Sequence, residues 1–110
     1  MARYLIHAKY TAQGAAGARS DGYAVRQAEG SKAFESVGGK VESWLWLDWG
    51  EWDFAVVVDA PTSEALLRIA ALSAASGAFA RTTSSEIFES ATMDRAAAAG
   101  ADWRPPGAAS

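Results

Sequence analysis

The sequence predicts an α+β fold: a four-stranded antiparallel sheet carrying helices on one side, in the chain order β-α-β-β-α-β. Two observations point there. Between Gly39 and Ala60 two β-rich runs flank Gly50-Glu51, the first alternating in residue type and the second, Phe54–Val58, apolar throughout. Before and after this hairpin comes a segment of helical periodicity, and one further strand-like run lies at each end. That order is the split-βαβ, or ferredoxin-like, arrangement. Right-handed crossovers then place strands one and three at the centre and strands two and four at the edges.

Each element has its own signal. Arg3–Tyr10 alternates Tyr4, Ile6, Ala8 and Tyr10 against Arg3, Leu5, His7 and Lys9, so it reads as the first strand, with Ile6 and Ala8 turned towards the helices. Gly14 and Gly17 make the next segment a loop or weak turn. Ser20-Asp21 offers a cap for a helix from about Gly22 to Val37, along which Tyr23, Gln27, Gly30, Phe34 and Val37 recur at helical spacing. Gly30 would let that helix approach the sheet closely, and Gly38-Gly39 ends it. Pro61-Thr62-Ser63-Glu64 starts a second helix over 65–76, with Leu66, Ile69, Ala70 and Ser73 on one face and Gly77 closing it. Phe79–Phe88 is the fourth strand. Thr92 is expected to cap a short alanine-rich helix to Ala99, so that residues 1–100 form the domain and 101–110 a tail.

The hairpin sets the expectation for assembly. In Val41–Asp48 the odd positions are Val41, Ser43, Leu45 and Leu47, and the even ones Glu42, Trp44, Trp46 and Asp48. With the aliphatic face given to the helices, Trp44 and Trp46 lie on the bare face beside Leu5. That is a larger apolar patch than a soluble monomer normally exposes. A twofold partner laying its sheet on this one would cover it, giving a dimeric α+β barrel or a higher homo-oligomer.

Bulk properties exclude several classes. At 110 residues the chain suits one core without a deep additional pocket. A net charge of −3, with no cluster of Lys and Arg, argues against a nucleic-acid groove. The absence of cysteine removes disulfides, thiolate catalysis and zinc-thiolate sites. No apolar run approaches the ~20 residues of a membrane span, and the first residues lack a signal-peptide layout, so a soluble cytoplasmic protein is expected. One His and no Cys leave no metal-ligand spacing, and neither a P-loop nor a dinucleotide glycine fingerprint nor a Gly-x-Ser-x-Gly elbow occurs. No metal and no cofactor are expected.

Gly50-Glu51-Trp52-Asp53 followed by Phe-Ala-Val-Val-Val-Asp resembles the Gly-(acid)-Tyr-Asp turn and apolar strand of the GYD-domain family, with Trp52 where the family pattern has Tyr. Arg3-Tyr4-Leu5-Ile6, the run Glu35–Glu42, Ala74–Ala78 and Arg81-Thr82-Thr83 fit the same pattern, so the resemblance spans roughly residues 3–95. It implies the dimeric α+β barrel, with small molecules held between the two sheets, and is silent on chemistry.

The side chains expected in such an inter-sheet cavity are Leu5, His7, Lys9, Glu42, Trp44, Trp46 and Asp48, joined by Arg81 and Thr83 if the fourth strand has the right phase. His7 is the single histidine and the one group whose ordinary pKa suits proton transfer near neutrality. It reads either as a general base or as a hydrogen-bonding interface residue. Trp44 and Trp46 read either as dimer packing or as walls for a flat aromatic ligand. Asp53 follows the turn and is suited to bonding backbone amides there. One function is then a small cofactor-independent enzyme, of isomerase, cyclase or monooxygenase type, acting on a hydrophobic or aromatic metabolite. In it His7 would move protons and Arg81 or Lys9 would stabilise a developing enolate or phenolate. The other is a non-catalytic binding or assembly module whose tryptophans serve subunit contact.

Overall fold

A computed structural model describes residues 2–107. Its elements run β1 (Ala2–Tyr10), α1 (Ala12–Asp21), α2 (Tyr23–Ser36), β2 (Lys40–Trp46), β3 (Phe54–Ala60), α3 (Ser63–Ser76), β4 (Phe79–Glu86) and α4 (Ser90–Ala99). The four strands form one antiparallel sheet in the order β2-β3-β1-β4, with the first and third strands of the chain at its centre. This is the ferredoxin-like α+β arrangement.

Register fixes the two faces. Tyr4, Ile6 and Ala8 of β1 lie opposite Val58, Val56 and Phe54 of β3 and, with Tyr10, form the side that meets the helices. Val56 and Val58 are fully buried there, with Phe34 of α2 and Ala18 of α1 above them. Arg3, Leu5, His7 and Lys9 point the other way, as the alternation of β1 predicts.

The phase expected for β2 is corrected. Trp44 and Trp46 lie on the helix side, opposite Val56 and Phe54. Trp44 stacks on Phe54 at 4.7 Å and Trp46 meets Tyr23 of α2 edge-on at 5.2 Å. Two causes combine. A register shift between Val41 and Ser43 leaves Glu42 as an extra residue, so Val41 joins the tryptophans rather than Ser43 and Leu45. Gly30 of α2 then sits directly over the Trp44 ring, in space that a Cβ would fill, so the large indole fits beneath the helix. Leu45, 58% exposed, is on the open face instead.

Two local expectations also change. The segment 12–21 is a helix, not a loop: the Thr11 hydroxyl accepts the Gly14 N–H at 3.1 Å and donates to Gly77 C=O at 2.8 Å, which caps α1 and ties it to the end of α3. Gly14 lies against the Ala78 carbonyl, where a Cβ would clash, so it serves close approach rather than flexibility. Ser20 and Asp21 therefore end α1, and Gly22, at φ 97, makes the corner into α2. Thr92 does not cap α4: the helix begins at Ser90, and the Thr92 hydroxyl accepts from Arg95 within it. For α3, Thr62 caps through Ala65 N–H and Gly77 closes in the left-handed region, both as the sequence predicts. Residues 101–107 form neither helix nor strand, and Trp103 among them is 75% exposed. The final stretch of the expected tail, 108–110, lies outside the described residues.

Candidate functional site on the open face of the sheet

Among the described residues no helix covers the second face of the sheet, and the side chains with chemistry converge there. His7 on β1 lies between Ala55 of β3 and Thr83 of β4. Above it, the loop joining β2 to β3 brings in Trp52, whose ring lies 5.6 Å from the imidazole at 42°. The Arg81 guanidinium stands 4.7 Å over the same indole and donates to Glu51 C=O at 3.0 Å. Leu5, paired with Val57, extends the patch with an apolar floor.

Asp53 holds that loop in place. It is buried, its Oδ2 accepts Tyr10 N–H at 2.9 Å and its Oδ1 accepts Lys9 Nζ at 2.9 Å. Its own N–H donates to Ala8 C=O, and its carbonyl accepts from Leu47 N–H. The Lys9 ammonium also donates to Gly50 C=O at 2.9 Å. One carboxylate thus pins the loop to the central strand, which satisfies the buried charge and fixes where Trp52 sits. Trp49, in the left-handed region at φ 65, turns the loop at its tip and rests against Tyr23.

Of the residues expected in the site, His7, Arg81, Thr83 and Leu5 are brought together on this face. Lys9 points to the same side but its ammonium is bound into the Asp53 ion pair, which occupies it structurally. Glu42, at the bulge, accepts Arg3 Nε at 2.7 Å, and Arg3 reaches Glu89 at 3.1 Å. The hydrogen bond and charge of Glu42 hold the Arg3 guanidinium still higher than usual. Asp48 lies past the end of β2 on the exposed loop. Trp44 and Trp46 are on the opposite side, under α2. The Trp44 Nε1, buried, finds no hydrogen-bond partner among the described residues.

Trp52, whose place at the turn reads in the sequence mostly as hairpin packing, lies against His7 and Arg81 at the candidate site. The signal lay in the turn itself: an aspartate directly after Trp52 anchors the loop to β1, the strand that carries His7. Arg26 is also missed by helix periodicity, and Tyr10, which the alternation of β1 places with Ile6 and Ala8, has no functional assignment in the sequence. Burial pushes the Tyr10 phenol up, partly offset by the Arg26 guanidinium beside it.

Residues 4–97 match the model of the GYD domain. A comparison with curated proteins returns no significant match. Among solved structures, the crystal structure of MtbAldR superposes with a TM-score of 0.57 at 20% identity, over 80% of this chain and 54% of that one, so the chain spans about half the length of that protein. The crystal structure of FFRP-DM1 superposes with a TM-score of 0.50 at 16% identity, over 80% of this chain and 100% of the other. At such identities the likeness shows the fold alone.

Proposed function

The chain belongs to the GYD domain family, and we propose that it works as a homodimer or higher homo-oligomer joined through the open sheet face. A small hydrophobic or aromatic molecule held there undergoes proton-transfer chemistry of isomerase or cyclase type, without a cofactor. The observation that carries this is the cluster of His7, Trp52 and Arg81 on the face left uncovered. Trp52 supplies a flat apolar wall. His7 takes a proton from carbon and returns it elsewhere on the substrate, so no oxidant is consumed. Arg81 is fixed by the indole and by Glu51 C=O, and presents its remaining N–H groups to a developing enolate or phenolate oxygen. Leu45, exposed on the open face near the end of edge strand β2, favours a second copy as the cover.

The competing reading, a non-catalytic binding or assembly module, keeps the same face but gives His7 no proton to move. Its assignment of Trp44 and Trp46 to subunit contact is not available, since α2 covers both. The test is a panel of aromatic ketones and phenols followed by NMR, where the single imidazole gives an isolated Cε1–H signal. Binders should shift His7 and the Trp52 indole N–H, and should take up deuterium from D2O at carbon with the native chain but not with His7→Gln. Binding with those shifts but no deuterium uptake would establish the module instead. Binders that leave both signals unmoved would remove the site.

A further inference from the structure

We infer that the chamber between α2, α3 and the helix side of the sheet is a second binding site, for an elongated apolar molecule ending in a carbonyl or carboxylate oxygen. The chamber has a volume of about 560 Å³ and is partly open to solvent. That lies within the ~300–1,000 Å³ of pockets that hold drug-sized ligands. Its floor is Ile6, Phe54 and Val56 of the sheet and its far wall Leu66 and Ile69 of α3.

The gap is a consequence of how the two helices are anchored. α2 is fixed over the edge strand β2, where Gly30 rests on Trp44 and Tyr23 on Trp46. Trp44 is in turn held by its stack on Phe54. α3 is fixed at its start, where Thr62 caps it and Ala65 is buried. With α2 tied to its tryptophans, it meets α3 over only part of its length, and beyond that contact apolar walls remain facing one another. An apolar hollow of this size, partly open to solvent, has the room and the lining to take a small molecule.

Arg26 and Glu29 stand at the polar end of the chamber, and Arg26 is the group there that can donate to a ligand oxygen. It lines this chamber and also a neighbouring hollow of about 360 Å³, which Tyr10 lines. Its ion pair with Asp21 is long, 3.4 Å, and solvent-exposed on both sides. Such a contact is weak, and leaves the guanidinium able to meet an incoming oxygen. The Tyr10 phenol stands beside Arg26 on the side of the neighbouring hollow, as a second hydrogen-bonding group.

Calorimetry with dodecanoate, below its micelle concentration, tests the inference on the full chain. One dodecanoate per chain should bind saturably. Ala70→Trp, which fills the chamber from α3, should abolish binding while circular dichroism and the elution volume stay unchanged, and Ala33→Leu, from α2, should weaken it. Arg26→Gln should weaken dodecanoate by about tenfold while dodecan-1-ol loses much less. His7→Gln and Trp52→Ala should bind as the native chain does. Absence of saturable heat, binding indifferent to both filling variants, or an equal loss of acid and alcohol in Arg26→Gln would each overturn it. An oligomer that dissociates as dodecanoate binds would name a second copy as the natural occupant, and would overturn it as well.

Discussion

The two faces of the sheet share four strands and differ in what their aromatic residues touch. On the helix side Trp44, Trp46, Phe54, Tyr10 and Phe79 meet one another at 4.7 to 6.1 Å, with Tyr23 of α2 against Trp46 and Gly30 of α2 over Trp44. On the open side a single indole, Trp52, meets a histidine and an arginine. An indole whose ring neighbours are phenylalanine, tyrosine and a second indole fills volume. One whose neighbours can move a proton or hold a charge shapes a site. Residue type alone does not separate them; the neighbours do.

Substitutions on the two faces should therefore behave differently. Trp44→Ala empties the layer under α2 and is expected to cost about 3 kcal/mol of stability, at the low end for truncating a core aromatic because the ring is only partly buried. Trp52→Ala should cost under ~1 kcal/mol, the scale of an exposed cation–π contact, while removing the ligand-induced shift at His7. Urea unfolding of the pair checks this, and equal losses would erase the distinction between the faces.

Asp53→Ala joins the two sides in one experiment, since this carboxylate supports the site from within the core. It should cost about 3 kcal/mol, the lower end for breaking a buried ion pair, because Lys9 keeps some access to water. Its Trp52 should also move away from His7, visible as loss of the nuclear Overhauser contact between the rings. A stable variant with that contact intact would show that the loop holds itself.

The smallest effect is one of pH. Burial raises the Tyr10 pKa above its ordinary 10.0, so the folded chain holds this proton where the unfolded chain has released it. Stability is then unaffected by Tyr10 below about pH 10 and falls as pH rises beyond it, until the folded phenol itself ionises. Tyr10→Phe should flatten that alkaline decline in urea midpoints taken from pH 8 to 11. An unchanged decline would place the titration elsewhere.

Much of the fold was legible from local pattern. Alternation in β1 assigned its faces correctly, and Pro61-Thr62 with Gly77 bounded α3 as observed. The β2 phase was not legible, because alternation says that two faces differ and not which one is covered. The single-residue bulge at Glu42 also leaves no mark in the sequence. Gly30 held the missing clue: a glycine that lets a helix come close needs a large partner beneath it, and the tryptophans were the candidates. Helix α1 was hidden for a related reason. Gly14 and Gly17 lower helical propensity, and the contacts that stabilise it, Thr11 to Gly77 and Gly14 against Ala78, are more than sixty residues apart in sequence. For the site, Leu5 and His7 were readable from the alternation of β1, whereas the sequence left the phase of β4 open, and the pairing of His7 with Thr83 and of Lys9 with Arg81 sets it. Trp52 required knowing that Asp53 folds its loop back over β1.

Everything proposed for the open face depends on a second copy covering it, and sedimentation equilibrium of the native chain beside Leu45→Arg reads that directly. Leu45 is exposed in the single chain, so the substitution should leave folding within ~0.5 kcal/mol of the original. The native chain should sediment at twice the 11.5 kDa of one chain or a higher multiple, and Leu45→Arg at 11.5 kDa. A native chain that sediments at 11.5 kDa, or an oligomer untouched by arginine at position 45, would contradict the account.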